Sequence, residues 1–174
     1  YSFWSVLFCG GDCAEDLSAN FRSSLKSNPF IQIPSPDRVL ERMKQLAKPS
    51  QLFDTPKGTK KHEFSLNESI NRLNIKLIKK LALIKSKNTI LDYDNTLIFS
   101  CKDDAAMTYM KQFGYCPGVG FIGNNVVYVE NRNGNSDAQT LQQDTLKRMF
   151  ALLNDEEIHI DRFRADGASY QSST

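Results

Sequence analysis

The spacing of apolar residues changes character near Asn88. Before that point they recur at intervals of three and four, as on one face of a helix. Beyond it they alternate or run together, as in strands. "YSFWSVLFCGG" reads as the end of a buried helix closed by Gly10-Gly11. Asp12 is placed to cap a second helix over "CAEDLSANFRSSLKS", which stops before Pro29. In "IPSPDRVLERMKQLAKPS", Ser35 is a cap, Pro36 fits the first turn, and Val39, Leu40, Met43 and Leu46 share a face. A lysine-bearing loop, "DTPKGTKKHE", follows. Ser65 and Glu68 then have capping-box spacing, and the helix they open carries Leu66, Ile70, Leu73, Leu77, Leu81 and Ile84 on one stripe, the expected core face. Arg72, Lys76, Lys79 and Lys80 lie off that stripe.

Residues 89–99 predict a strand, and "CKDDAAMTYMKQF" fits neither period. "GYCPGVGFIG" and "VVYVENR" predict a hairpin around Gly123-Asn124-Asn125. Ser136 and Gln139 form a second capping-box pattern, opening a helix to about Asn154, and "IHIDRFRAD" closes as a strand ending at Asp166-Gly167. The order is strand, strand, strand, helix, strand. In Asn131, Arg132, Gly134 and Asn135 the strand-to-helix turn is expected to use glycine for backbone freedom and asparagine for the left-handed region.

With 174 residues, 40% hydrophobic and 24% charged, the chain has the composition of an ordinary globular protein of one medium or two small domains. It starts at Tyr1 and stops after an apparently unfinished fold, so it is expected to be an internal piece of a longer protein. Cys9, Cys13, Cys101 and Cys116 make no C-x-x-C pair, and His62 and His159 are far apart. Neither a zinc site nor a disulfide framework is expected, and free thiols point to the cytoplasm. The opening apolar run is too short to span a bilayer, so no membrane partner is expected. Charge is unevenly distributed. Residues 1–88 hold fifteen Lys/Arg against eight Asp/Glu, while residues 89–174 hold seven against twelve. A basic half beside an acidic half suggests polyanion binding next to cation binding, although lysines that merely solvate helices give the same count.

The chemistry centres on "NTILDYDNTLIFS". Asp92 and Asp94, two apart in a strand, point to one face, where carboxylates need a metal or donors if they are to be buried. "ILDYDNTLI" matches the first motif of haloacid dehalogenase-type hydrolases, in which Asp92 would be the nucleophile and Asp94 the general acid. That fold continues into a helix and parallel crossovers, and it needs a later lysine and an acidic pair. Here hairpin-like strands follow. Three antiparallel strands, a helix and a strand returning beside the first are instead the opening of a ribonuclease H-like fold. Its first and fourth strands are neighbours, so Asp94 and Asp166, with 71 residues between them, can converge.

Residues 10–174 resemble the DDE-type transposases of bacterial insertion sequences, in the group whose first acidic motif reads D-x-D. The likeness lies in "LDYDNT", "TYMKQFGYCPGVGFI", "YVENRNGNSDAQTLQQDTLKRMF" and "FRADGASY", in that order. The resemblance implies a mixed α/β (α+β) protein. A helical, helix-turn-helix-like DNA-binding region would occupy 1–87, and the first half of a ribonuclease H-like catalytic domain would occupy 88–174. It implies two-metal cutting and joining of double-stranded DNA at transposon ends, with Mg²⁺ or Mn²⁺. Asp94 and Asp166 would be the first two catalytic, metal-binding acids, with Asp92 a ligand or a support for one. The third acid would lie on a late helix beyond Thr174, so this piece alone is expected to be inactive. Glu130 reads as structural, and Asp103-Asp104 and Asp155-Glu156-Glu157 as solvated runs. Arg38, Arg42 and Lys44 are candidates for DNA contact in the basic half, with Arg132 and Arg164 in the acidic half. A homodimer on paired ends and a bacterial, nucleoid-associated location also follow from the resemblance. The competing expectations are an inactive DNA-binding remnant and the phosphatase acting through Asp92.

Overall fold

The alternation in Lys61-His62-Glu63-Phe64-Ser65 puts His62 and Phe64 on a buried face and Lys61 and Glu63 in solvent, the signature of a half-covered strand. In the computed structural model this stretch is β2 (Lys61–Ser65), and it pairs antiparallel with β1 (Gln51–Asp54). The structure describes residues 6–7, 10–28, 30, 32–54, 60–84 and 87–169. It divides into two units, Tyr1–Lys48 and Pro49–Thr174. Within the region expected to be helical, a strand pair, β1 with β2, follows Lys48.

In the first unit, Gly10 (φ +83°) and Gly11 close the preceding turn through bonds to the carbonyls of Leu7 and Val6, as glycines at that place allow. The rest of the expected opening helix (1–5, 8–9) lies outside the described residues. The cap of the next segment is not Asp12. Asp16 accepts from the backbone N–H of Asp12 (3.0 Å) and Cys13 (3.4 Å), and the helical turns begin only there, as a π-helical Leu17–Phe21 followed by α1 (Arg22–Leu25). In α2 (Pro36–Leu46), Ser35 Oγ accepts from Arg38 N (3.3 Å) and Pro36 occupies the first turn, as expected. No residue of α2 is buried.

The second unit is built on a six-stranded sheet in the order β1-β2-β8-β7-β3-β9. The remaining strands are β3 (Ile90–Asn95), β7 (Gly118–Ile122), β8 (Asn125–Arg132) and β9 (Arg162–Ala165). All pairings are antiparallel except β3–β9, which is parallel. The β7–β8 turn is Gly123-Asn124 with Gly123 at φ +59°, where a two-residue hairpin turn requires glycine. The apolar run 89–99 is not one strand. It breaks after Asn95, and β4 (Ile98–Phe99) joins β6 (Phe113–Tyr115) and β5 (Ala106–Met107) in a separate three-stranded sheet.

One face of the large sheet carries Leu91, Tyr93, Ile122 and Tyr128. They pack with Met149, Leu152 and Leu153 of α4 (Gln142–Asp155) and with Ile75 and Ile78 of α3 (Glu68–Lys80). Gly118 and Gly120 admit this packing, since a Cβ there would meet Tyr93 Oη at 2.3 Å or Met149 Sδ at 2.6 Å. The leucine stripe expected on α3 faces outward instead: Ile70, Leu73, Leu77 and Leu81 are exposed, and Asn71, Ile75 and Ile78 are buried. The cause is the edge of β8. Beyond its short pairing with β2, its backbone needs partners, and α3 supplies them. Asn71 accepts from Val129 N (2.9 Å) and donates to Val129 O (2.9 Å), and Asn74 donates to Val126 O.

Neither expected capping box forms. Ser65 ends β2, and α3 starts after Asn67 in the left-handed region (φ 53°). Ser136 is buried against His62 Nδ1 (2.9 Å), and α4 starts only after Leu141. Gly134 is glycine for closeness rather than for a left-handed φ, because a Cβ would sit 2.4 Å from the carbonyl oxygens of Ala106 and Gly114. Among the described residues no helix is long and apolar enough to cross a membrane.

The His62–Ser136 contact ties β2 to the 133–136 loop and yields a pH prediction. Burial first, then the charge of Arg132, depress the His62 pKa below its ordinary 6.5, with Asp137 opposing and Lys60 adding. The unfolded chain therefore binds a proton that the folded chain refuses. Stability should be full above about pH 7 and fall as pH drops through 6.5 toward the depressed value, by at most about 1.4 kcal/mol per pH unit. Urea midpoints at pH 7.5 and 5.5 check this: the loss should shrink in His62→Gln, and an equal loss in both proteins would assign it elsewhere.

Candidate functional site

The parallel β3–β9 register sets Asp92 opposite Arg164 and Tyr93 opposite Ala165. One step further, at the carboxyl ends of the two strands, come Asp94 and Asp166. The paired register ends one residue before them, at Tyr93 and Ala165. Asp94 and Asp166 are both exposed. Each has one oxygen fixed by its own chain. Asp94 Oδ1 accepts from Asn95 N (2.8 Å), and Asp166 Oδ1 accepts from Ser169 N (3.2 Å) and Ser169 Oγ (3.1 Å). Neither Oδ2 makes a hydrogen bond among the described residues.

Asp166 is held at two removes. Gln142, almost fully buried at the start of α4, donates Nε2 to Ser169 Oγ (2.6 Å), and Ser169 donates to Asp166. This chain of bonds was not foreseen. Its signal was the Asp-x-x-Ser spacing of 166–169, an Asx-type turn directly after a strand.

Asp92 stands apart from the pair. Its two oxygens accept from Arg164 Nε (2.6 Å) and Nη2 (2.8 Å), a two-point ion pair across β3 and β9. Bonding from Arg164 holds the Asp92 carboxyl below its ordinary pKa against a smaller opposing effect of burial, and it raises that of Arg164. As a metal ligand Asp92 would have to give up this pair. As a contact to DNA, Arg164 would have to do the same.

Arg132 corrects an expectation. It is 1% exposed, its guanidinium stacks 4.7 Å from the Phe64 ring centroid, and it donates to Thr140 O. From that position it can reach no DNA backbone. The N-R-x-G-N loop buries its arginine because the 137–140 turn folds back over it. Glu130 is fully buried and structural. It accepts from Tyr128 Oη (2.8 Å), Thr145 Oγ1 (2.7 Å), and Arg148 Nε and Nη2 (both 2.9 Å).

The candidates on α2 are all exposed. Arg38 pairs with Glu41 (2.9 Å), Arg42 donates to Gln45 (3.0 Å), and Lys44 lies in the last turn. Pairs this exposed are weak and exchange readily for other anions.

Asp166 also forms part of the rim of a cleft of about 270 Å³, lined by Asn95, Leu97, Tyr109, Cys116, Asp137, Ala138 and Gln139. Burial pushes the thiol of Cys116 up, so it sits there as a neutral group. Elsewhere, among the described residues, ligand atoms of Asp12, Cys13 and Asp16 lie within 4.8 Å of one another, an exposed group that could hold a metal. Asp16 already spends Oδ2 on the N–H groups of Asp12 and Cys13. Set against protein-family models, curated proteins and solved structures, the chain matches none.

Proposed function

We propose that the chain carries two acids of a metal-dependent DNA-cutting and DNA-joining site, as in the DDE-type transposases its motifs resemble, on the opening half of a ribonuclease H-like fold. The observation that carries the reading is the parallel β3–β9 pairing, whose last pair, Tyr93 and Ala165, immediately precedes Asp94 and Asp166. The strand order β8-β7-β3-β9, with α4 leading into β9, supports the fold assignment.

The pair suits a hard divalent cation. Among the described residues each acid has one carboxylate oxygen without a hydrogen bond, and carboxylate oxygen is a hard donor. When bound, Mg²⁺ or Mn²⁺ would lower the pKa of a coordinated water and offset charge on the phosphodiester. The chain's own part is to hold the donors. The parallel β3–β9 pairing leads up to them, the Asn95 and Ser169 N–H groups orient one oxygen of each, and the Asp92–Arg164 pair clamps the two strands two residues earlier. Arg38, Arg42 and Lys44 are the solvent-facing cations offered to the phosphates of double-stranded DNA, with a second copy of the protein serving paired ends. The third acid of this reading is expected outside residues 1–174. Without it the protein would be a DNA-binding remnant. Arg164 on both oxygens of Asp92 argues against Asp92 as a phosphoryl acceptor, and so does the hairpin that follows β3.

Mn²⁺ titration followed by electron paramagnetic resonance tests the metal pair on this chain. Wild type is expected to bind Mn²⁺ at least tenfold more tightly than Asp94→Asn or Asp166→Asn. Equal affinity in all three would overturn the proposal.

A further inference from the structure

Resting on that reading, we infer that the cleft beside Asp166 is a subsite for one unpaired nucleobase of the DNA strand lying on the acids. Its lining has the parts a base needs. Tyr109 is 67% exposed at the mouth and offers a ring for stacking, while Leu97 supplies an apolar surface. Acceptors stand among the rest. Asp137 commits Oδ1 to Thr140 N (2.9 Å) and Thr140 Oγ1 (2.7 Å), and its Oδ2 has no hydrogen bond among the described residues. Asn95 donates Nδ2 to Pro117 O, and its side-chain oxygen has no hydrogen bond among the described residues.

Size and charge narrow the occupant. About 270 Å³ lies just below the range of drug-sized pockets, so it admits one base and not a base pair. Asp137 and Asp166 repel a bare phosphate but accept N–H groups from a neutral ring. Guanine, adenine and cytosine present donors on their pairing edges beyond the single N–H of thymine, so the cleft favours them. Asp166 belongs to both the cleft and the acid pair, which places the base next to the phosphate being cut.

The test uses the whole chain with a short single-stranded oligonucleotide carrying one 2-aminopurine, in the presence of Mn²⁺. Wild type should shift the 2-aminopurine emission on binding. Tyr109→Ala should weaken that binding about tenfold or more, and Tyr109→Phe should retain it. An oligonucleotide abasic at the probed position should compete poorly, and a guanine there should compete better than a thymine. Tyr109 is exposed, so Tyr109→Ala should keep the wild-type circular dichroism. Equal affinity of wild type and Tyr109→Ala, or equal competition by the abasic strand, would overturn the subsite. The two proposals fail separately. Mn²⁺ binding at Asp94 and Asp166 without a Tyr109 effect removes only the subsite. A Tyr109-dependent signal without Mn²⁺ binding leaves the base site and removes the metal pair.

Discussion

Glu130→Ala should lower the unfolding free energy by about 3–5 kcal/mol, a third or more of what a domain of this size usually has. The carboxylate is wholly buried, and its two oxygens accept four hydrogen bonds, two of them from Arg148. Removing it takes their acceptor from the buried hydroxyl of Tyr128 and from the guanidinium of Arg148, whose side chain is 26% exposed, while Thr145 keeps its bond to Leu141 O. Burial, the largest cause of the raised pKa of Tyr128, remains in the variant, so its phenol stays protonated as a donor without an acceptor. Urea unfolding gives the readout, as a lower midpoint at unchanged slope. The double variant Glu130→Leu, Arg148→Met should recover most of the loss, since a buried ion pair is worth little against apolar packing. A loss under about 1 kcal/mol in Glu130→Ala would show that the network does not hold β8 to α4.

That network also shows what sequence could and could not reveal. Glu130 read as structural because the resemblance puts the third acid on a late helix, but its partners lie 15 and 18 residues on, in a helix whose start was misjudged. Elements with strong local signals came out well: the Gly123-Asn124 turn, the Ser35 cap, the helix ending near Asn154 and the strand before Asp166. Failures occurred where a tertiary partner decides. The stripe of α3 has helical period, but periodicity does not say which face the sheet takes. The bare edge of β8 selected the face with Asn71 and Asn74, because unpaired backbone groups cost more than exposed leucines. Ser65 and Ser136 sat at capping spacing, yet a strand claimed one and buried His62 claimed the other. The β1–β2 pair was missed because Lys61–Ser65 is only five residues long and its alternation is easily lost beside a helix. Arg132 looked like a surface cation until the 137–140 turn covered it. For the candidate site, the placing of the last strand beside the first was legible through strand order. Arg164 was read as a candidate DNA contact and not as the partner of Asp92, and Gln142 and Tyr109 carried no signal that named them.

In a protein that supplies the third acid, Asp94→Asn and Asp166→Asn should each cut DNA at least about 10³-fold more slowly, with binding to the same DNA unchanged. An amide keeps the shape of the carboxylate but loses its charge, so each change removes about half of the negative potential that this pair offers a divalent ion. Losing several kcal/mol of charge stabilisation in the transition state is a thousandfold or more in rate. DNA affinity should survive because the cations offered to phosphate belong to α2, away from β3 and β9 in the sequence. Asp92→Asn is the informative comparison. It removes a charge from the same face but one that is already neutralised by Arg164, so the cost comes from a loosened β3–β9 clamp. A fall of about 10- to 100-fold is expected there, the range for groups that orient a ligand. Arg164→Gln should give a similar loss, and combining the two should cost little more than either alone, since both break one pair. Cleavage rates at saturating Mg²⁺, with gel-shift affinities on the same protein, separate the cases. If Asp92→Asn instead abolished activity while Asp166→Asn left it whole, the working carboxylate would be Asp92, and the phosphatase chemistry of the D-x-D-x-T motif would fit better than DNA cutting.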